Sequence, residues 1–289
     1  MFSIWLYKKF KETSKQKSII EIQKLEVEEQ KKIVEEHQKE IKDSINYAKR
    51  IQTSFLASKS EFENFTKNYF ILFTPKDVVS GDFYWANTID ENFYVCAADS
   101  TGHGIPGAFM SLLNMSLLNE AVLSKNLTDT SEILNFVRKI LILGLKPDES
   151  GQGGNDGMDC VMVKINKTTL KLEFSGANNS LWIIRDNALI ELSADKMPVG
   201  RSLSEEISFT RQEFQLQKSD ILYLFTDGYA DQFGGPKGKK FKYKQLKELL
   251  VQNKHLSLTQ QSTILQSTFQ NWKGNLEQVD DVCVIGIKI

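Results

Sequence analysis

The spacing of apolar residues changes near residue 60 and predicts two regions of different structure. Before that point apolar side chains recur every seven positions, at Ile20, Val27, Val34, Ile41, Ala48 and Phe55. Such a repeat is typical of one seam of a coiled coil, but the companion seam, which includes Gln23 and Gln30, is mostly polar. We therefore predict a long helix over residues 1–58 that pairs weakly in a parallel homodimer. A single unpaired helix is the alternative interpretation.

After a connection at residues 59–66, the region 67–289 consists of short apolar or alternating runs separated by turns, which predicts strands. The predicted strands are Tyr69–Thr74, Phe93–Ala98, Cys160–Ile165, Leu170–Phe174, Leu181–Arg185, Ile207–Phe214, Ile221–Phe225 and Val282–Ile289. Helical runs fall at about 106–124, 131–145, 243–253 and 258–272. The first helical run is apolar on nearly every side, which predicts a helix buried between layers. Strands in hairpins with helices between them indicate an α+β sandwich.

Charge and cysteine content narrow the class of protein. The 289 residues include 36 Lys or Arg and 37 Asp or Glu, a formal net charge of −1. This balance predicts no nucleic-acid partner, because there is no excess of basic residues to neutralise phosphates. Cys96, Cys160 and Cys283 are odd in number and lie in apolar runs. They predict reduced, buried thiols in a cytoplasmic protein.

The first seven residues are apolar, and five lysines follow them within residues 8–17. A bilayer span needs about 20 apolar residues, so this run is too short to cross a membrane. Two interpretations stay open. The run is a frayed terminus, or it is the end of a membrane helix with a basic cytoplasmic flank. The second interpretation predicts a membrane tether or sensory domain in a longer parent protein, and a location at the cytoplasmic face of the membrane.

Aspartates stand beside strand ends and glycine turns throughout the second region. They are Asp82 after Ser80-Gly81, Asp99 before STGHG, Asp227 before Gly228, and Asp280-Asp281 before the last strand. Carboxylates at strand ends can converge on one rim of a sandwich, where they suit Mg²⁺ or Mn²⁺. Two such ions about 3.5–4 Å apart can hold a hydroxide and a phosphoryl group. Each Asp-Gly pair alone is weak evidence, because it is also common turn chemistry.

Four segments together resemble a known family. SGDFYW, AADSTGHGIPGAFM, LFTDGYADQFGG and DDVCVIGI resemble, in order and spacing, the motifs of the metal-dependent serine/threonine protein phosphatases (PPM), especially their SpoIIE-like bacterial branch. The resemblance covers residues 67–289. It implies two packed antiparallel β-sheets flanked by helices. It also implies hydrolysis of phosphoserine or phosphothreonine by a water that two Mn²⁺ or Mg²⁺ ions activate, with a third ion as an option.

The resemblance extends to signalling. The first helix ends in SINYAKRIQ, which looks like the linkers that tether such domains to sensory modules in bacterial signal transduction. We therefore expect the helix to regulate the phosphatase. A phosphorylated anti-sigma-factor antagonist is one type of substrate that this family implies.

The resemblance also implies roles for single residues. The implied metal ligands are Asp82, Asp99, the Ser100 carbonyl, Asp227 and Asp280, with Asp281 either behind Asp280 or in its place. Asp82, Asp99, Asp227 and His103 are the implied catalytic residues. A histidine near position 103 is a general acid in the wider family, but this chain has one more residue between Asp99 and His103. Support of a ligand, or capping of the following helix, is therefore the alternative role for His103.

Three weaker candidates have ordinary explanations as well. Asp156 and Asp159 either bind an accessory metal or belong to a solvated turn. Lys76 either contacts the substrate phosphate or is simply an exposed loop residue. The basic run is a candidate flap over the site or a solvated face; it comprises Lys237, Lys239, Lys240, Lys242 and Lys244.

Two rival functions stay open. A catalytically silent module that binds a phosphoprotein would be expected to lack metal ligands, whereas all the implied aspartates are present. Another metal-dependent phosphomonoesterase would prefer small phosphates over phosphopeptides. The sequence contains no Cys-x5-Arg loop, so thiol-based phosphatase chemistry is excluded. It also contains no Gly-x4-Gly-Lys-Ser/Thr run, which disfavours a P-loop nucleotidase.

Overall fold

A computed structural model describes residues 1–146, 154, 156–202 and 206–289, with the backbone alone at residues 18, 19 and 22. The chain divides into two compact units, Met1–Tyr47 and Ala48–Ile289. Helix α1, Phe2–Phe55, forms the first unit and contributes its last turns to the second.

The first unit is helical throughout, as its sequence predicts. The apolar residues of the heptad seam, such as Val27, Val34 and Ile41, are exposed in the single chain. They are therefore available for pairing, and the predicted dimer stays a prediction. Among the residues that the structure describes, no helix is long and apolar enough to span a bilayer.

The second unit is an α+β sandwich. Its helices after α1 are α2 (Lys59–Glu63), α3 (Gly104–Asn119, continued by a π-helical turn at Glu120–Ser124), α4 (Thr130–Gly144), α5 (Gly228–Asp231), α6 (Lys242–Asn253) and α7 (Leu258–Lys273). Its strands are β1 (Tyr69–Thr74), β2 (Asp82–Ile89), β3 (Asn92–Ser100), β4 (Gly157–Asn166), β5 (Lys171–Ala177), β6 (Leu181–Arg185), β7 (Ala188–Leu192), β8 (Val199–Gly200), β9 (Gln212–Gln215), β10 (Ile221–Phe225), β11 (Phe233–Gly234), β12 (Lys239–Lys240) and β13 (Val282–Lys288).

Two antiparallel sheets pack face to face. One has the order β1-β13-β10-β6-β7, and the other has the order β2-β3-β4-β5-β9 with β8 beside β4. Successive side chains of a strand point to opposite faces of its sheet. In β3, Phe93 and Val95 therefore pack between the sheets, whereas Tyr94 and Cys96 pack beneath the helices.

Helices cover both outer faces of the sandwich. Helices α3 and α4 pack over the β2–β9 sheet, and α6 and α7 pack over the β1–β7 sheet. Because both faces of the central strands are covered, those strands are continuous apolar runs rather than alternating ones. The predicted fold, two antiparallel sheets flanked by helices and preceded by a long helix, is confirmed.

Two local predictions are wrong. The strand predicted at Ile207–Phe214 is limited to Gln212–Gln215. The preceding backbone bonds instead to side chains of α4, since Arg138 Nη2 donates to Ile207 O at 2.6 Å and Phe209 N donates to Asn135 Oδ1 at 3.1 Å. A backbone engaged in this way cannot also complete a strand ladder.

The second wrong prediction is that the helix at about 106–124 is buried between layers, because α3 is exposed on one side. Ile105 is 44% exposed, Phe109 is 68% exposed and Leu113 is 36% exposed, and they form a stripe along one face. The opposite face, which includes Met115 and Leu118, packs over the sheet. An apolar sequence on every side does not tell which face meets the core.

Candidate metal centre

Strand pairing brings three aspartates into a row. Asp82 of β2 is the register partner of Asp99 of β3, and Asp99 is the partner of Asp159 of β4. Asp82 is thus the first residue of an unpredicted strand, and it is 2% exposed. Asp159, a weaker candidate in the sequence, belongs to the same row as the two predicted ligands.

A threonine joins this row to the other sheet. Thr226 directly follows β10, and its Oγ1 donates to Asp82 Oδ2 at 2.6 Å. The same hydroxyl accepts from Cys283 N of β13 at 3.0 Å. Thr226 therefore fixes Asp82 against the strand ends that carry Asp227 and Asp280. Its role was not predicted, although it lies within the LFTD motif.

Asp280 and Asp281 have different surroundings. The carboxylate of Asp281 accepts from Lys76 N and from Gly81 N, both at 2.7 Å, and its residue is 2% exposed. Asp280 is partly exposed and lines the cavity described next. Of the two alternatives, the geometry favours Asp280 as the metal ligand and Asp281 as the residue that holds the Ser80-Gly81-Asp82 turn.

An open cavity of about 230 Å³ lies at this rim. It is lined by Asp99, Ser100, Thr101, Gly102, His103, Met158, Asp159, Pro198 and Asp280. Three of the lining residues are acidic, so the cavity can receive cations and a phosphate that those cations bind.

Burial and mutual repulsion act on the carboxylates together. Burial, and then the charge of Asp99, raise the pKa of Asp82 well above its usual value. Burial, and then Asp227 and Asp280, raise the pKa of Asp99 to about 8. Burial, and then Asp280, raise the pKa of Asp227 to about 6. Desolvated carboxylates that repel one another would gain from cations among them.

The donor set fits hard divalent ions, because it consists of carboxylates and a nearby backbone carbonyl. Within the described parts of the chain, no three acidic, histidine or cysteine side chains already close around one point at coordinating distance. The fit therefore rests on the chemistry of the donors and on their raised pKa values.

Three glycines allow the backbone of the rim to pack closely. A Cβ at Gly81 or at Gly107 would overlap the carbonyl oxygen of Gly102. Gly102 itself has a φ of +87°, which L side chains rarely adopt. The turn before β2, the turn after β3 and the start of α3 are thus in direct backbone contact, and this contact places Asp82 beside Asp99.

His103 lies at the cavity mouth, just before α3. His103 is the N-cap residue of α3, as the capping alternative predicts, but its side chain makes no capping hydrogen bond. Its Nδ1 lies 3.0 Å from Asp77 Oδ2, and its side chain is 56% exposed. Asp77 can hold the ring in one orientation, a function that the sequence did not reveal.

The cavity lining does not include Asp82, Asp227 or Asp281, nor the weaker candidates other than Asp159. Asp156 is half-buried, and Lys76 contributes a backbone N–H to Asp281. In the basic run, Lys240 pairs with Asp231 at 2.7 Å, and Lys237 is exposed. The run extends from the β11–β12 turn through β12 into the first turn of α6, and its function as a flap stays a prediction.

Comparison with known proteins agrees with this geometry. The family described as Stage II sporulation protein E (SpoIIE) matches residues 89–289. Phosphoserine phosphatase RsbU of Bacillus subtilis is 25% identical over 199 residues, which cover 66% of this chain and 55% of RsbU. The match thus spans just over half the length of that relative.

Two solved structures are similar in fold. The SiaA-PP2C domain of Pseudomonas aeruginosa has 28% identity and a TM-score of 0.79, with 87% of this chain and 98% of that chain covered. The PP2C phosphatase domain of SpoIIE from Bacillus subtilis, solved with a fragment of its regulatory domain, has 19% identity and a TM-score of 0.60, with 77% and 61% covered.

Proposed function

The chain belongs to the SpoIIE family of serine/threonine protein phosphatases, and from this premise we propose that it removes phosphate from phosphoserine or phosphothreonine in a protein substrate. The observation that carries the proposal is the convergence of acidic residues from both sheets on one open cavity. The family is metal-dependent. We propose Mn²⁺ or Mg²⁺ at this rim, with two ions as the basic requirement and a third near Asp159 as an option.

Each residue of the rim has a proposed role. Asp82, Asp99, Asp227 and Asp280 would hold the ions together with the Ser100 carbonyl. The bound ions would supply an activated water for attack on phosphorus. Thr226 and Asp281 orient the ligands through the hydrogen bonds described above. The Ser100 side chain accepts from Asn114 Nδ2 at 3.0 Å, which fixes the residue whose carbonyl is needed.

Metal removal and replacement test this function. Protein stripped with a chelator is expected to release no phosphate from a phosphoserine peptide, and added Mn²⁺ or Mg²⁺ is expected to restore release. Metal binding without any release would support the silent binding module. Release from small phosphate esters but not from phosphopeptides would support the other phosphomonoesterase.

We propose that His103 donates a proton to the leaving serine oxygen, with Asp77 as the residue that orients it. A general acid contributes about a hundredfold or more when the leaving group is a poor one. His103→Gln is therefore expected to lower kcat for a phosphoserine peptide about a hundredfold. It should lower kcat much less for p-nitrophenyl phosphate, whose leaving group needs no proton. His255→Gln, at an exposed histidine elsewhere, is the control. Equal losses on both substrates would contradict the role.

Regulation through the first helix is the next part of the proposal. Gln52, near the end of α1, is 4% exposed, and its Nε2 donates to Ser80 O at 2.6 Å and to Ser111 Oγ at 2.7 Å. Its Oε1 accepts from Ser80 N at 3.2 Å. Ser80 directly precedes Gly81-Asp82, and Ser111 belongs to α3. One side chain of the helix thus holds both elements that position Asp82 and Asp99.

Loss of this side chain is expected to lower activity. Gln52→Ala leaves the buried N–H of Ser80 without its acceptor, which costs about 1–3 kcal/mol. The Ser80 carbonyl keeps only the longer hydrogen bond from Ser111 Oγ, at 3.3 Å. We expect kcat to fall about tenfold, since roughly 1.4 kcal/mol of lost positioning energy has that effect. Gln38→Ala, at an exposed position of the same helix, is the matched control. Wild-type kinetics in Gln52→Ala would remove the support for this route of regulation.

The partners and location complete the proposal. We propose a parallel homodimer through the seam of α1, which light scattering of the full chain tests against Val34→Asp. A dimer that survives this substitution would exclude the seam of α1 as the dimer interface. The family resemblance favours a phosphorylated anti-sigma-factor antagonist as substrate. The free and buried Cys96, Cys160 and Cys283 support a reducing, cytoplasmic location.

A further inference from the structure

A second cavity, of about 240 Å³, adjoins the metal centre. It is lined by Asn178, Asn179, Ser180, Trp182, Glu191, Lys196, Phe225, Tyr243 and Lys247. None of these residues has a role in the proposed hydrolysis.

One hydrogen bond forms the wall between the two cavities. Asn178 Nδ2 donates to Asp159 Oδ1 at 2.9 Å, with Asn178 in the second cavity and Asp159 in the first. Asn178 has a φ of +57°, a conformation that asparagine tolerates better than most residues. A second connection is the segment 196–198, in which Lys196 lines the second cavity and Pro198 lines the first. A ligand in the second cavity therefore lies next to the site of hydrolysis.

The second cavity has hydrogen-bond donors without acceptors. Asn179 is 8% exposed, and its side chain makes no hydrogen bond with any residue that the structure describes. The indole N–H of Trp182 is buried near the Glu191 carboxylate but does not reach hydrogen-bond geometry. Buried polar groups are nearly always paired in folded proteins, so the unpaired indole N–H of Trp182 points to a ligand. The Asn179 amide is open to the cavity and is available to the same ligand.

The charges of the cavity favour an anionic ligand. Glu191 is neutralised by Lys247, whose Nζ lies 2.6 Å from its Oε2. Lys196 is exposed and makes no ion pair with any described residue. The charge of Lys196 also acts on Asp159, and Tyr243 lies near the negative charges of Asp227 and Asp231. The cavity therefore favours an anion when the proposed ions neutralise the aspartates of the metal centre. The rings of Trp182, Phe225 and Tyr243 form an apolar floor that suits a short aliphatic stem.

We propose that the second cavity binds an aspartate or glutamate side chain of the phosphoprotein substrate, close in sequence to the phosphoserine. This inference rests on the proposed phosphatase function. The carboxylate would accept from the Asn179 amide and the Trp182 indole and would pair with Lys196, while its methylene groups pack on the rings. A basic side chain would meet the charge of Lys196, which has no ion-pair partner among the described residues, and is disfavoured.

The test compares phosphoserine peptides that differ only in whether Glu, Gln or Lys occupies the positions within two residues of the phosphoserine. The wild type with bound Mn²⁺ is expected to favour the Glu peptide over the Gln peptide about tenfold in kcat/KM, as one charge-assisted hydrogen bond would give. Lys196→Glu is expected to reverse the preference toward the Lys peptide. Asn179→Asp, which keeps the side-chain shape, should weaken the preference for Glu.

Lys218→Glu is the matched control, because this exposed lysine precedes β10 at the end opposite to Asp227. It is expected to keep the wild-type preference. Each preference is a ratio between peptides, so a general change in activity does not affect it. An unchanged ratio in Lys196→Glu, or equal rates for all wild-type peptides, would overturn the proposal.

Peptide affinity separates this proposal from the phosphatase function. Fluorescence anisotropy of the labelled peptides gives Kd ratios that need no turnover. If no peptide is hydrolysed but the Glu peptide still binds about tenfold more tightly, the proposed function fails while the recognition site stands. If the peptides are hydrolysed but do not differ in Kd or in kcat/KM, the phosphatase function stands and the recognition site is excluded.

Discussion

Asp99→Asn is expected to lower the rate of phosphate release about a thousandfold or more. Asp99 lies between Asp82 and Asp159 in the row of aspartates, and its pKa responds to Asp227 and Asp280 as well. An amide in its place keeps the shape but removes the negative charge that faces every proposed ligand. A thousandfold loss corresponds to about 4 kcal/mol of transition-state stabilisation.

The same substitution is expected to stabilise the metal-free protein. The pKa of Asp99 is raised from its ordinary value to about 8 in the folded chain. A carboxylate whose pKa is raised by folding destabilises the folded state once it ionises, so wild-type stability falls as the pH rises from about 4 through 8. Asp99→Asn lacks this titration. Its advantage in melting temperature over the wild type should therefore grow between pH 5 and pH 8 in the presence of a chelator.

Asp90→Asn is the control for both measurements. Asp90 is an exposed residue in the turn between β2 and β3, at the other end of the hairpin that carries Asp82 and Asp99. It is expected to leave phosphate release and the pH dependence of stability unchanged. Phosphate release by Asp99→Asn within tenfold of the wild type would contradict the proposed role of Asp99 as a ligand.

The sequence predicted the parts of the fold that local patterns determine. Leu181–Arg185 and Ile221–Phe225 were predicted to the residue, because strands covered on both faces are short apolar runs between turns. Strand β2 was missed, since Asp82, Asn87 and Thr88 interrupt its apolar pattern. The buried carboxylate of Asp82 accepts from Thr226, which is 144 residues away in the sequence.

Local sequence patterns also revealed only part of the candidate site. The aspartates could be found from their positions beside glycine turns, because a resemblance of motifs needs only local order. The residues that orient them could not be found in this way. Gln52 contacts Ser80 across 28 positions, and Asn178 contacts Asp159 across 19. Such contacts depend on which elements meet in the fold, and no local spacing encodes them.

Asp280→Asn and Asp281→Asn are expected to affect different properties: the first metal affinity, the second the stability of the fold. Both oxygens of the Asp281 carboxylate accept backbone N–H groups, from Lys76 and from Gly81. An asparagine there would turn an N–H₂ group toward a backbone donor and leave that donor without an acceptor. We expect a loss of about 1–3 kcal/mol in the free energy of unfolding. Urea denaturation of the metal-free variants measures this loss.

Asp280→Asn is expected to keep the stability of the fold and to lose metal affinity. Asp280 lines the cavity, and its carboxylate oxygen accepts from Asp281 N, a contact that an amide oxygen can preserve. Calorimetric titration with Mn²⁺ is therefore expected to show weaker binding in Asp280→Asn, together with a large loss of phosphate release. A stable Asp281→Asn that no longer binds Mn²⁺, beside an Asp280→Asn that binds normally, would exchange the two roles. If Asp280→Asn instead binds Mn²⁺ weakly, and Asp281→Asn is less stable, then Asp280 faces the ions and Asp281 holds the turn that presents Asp82.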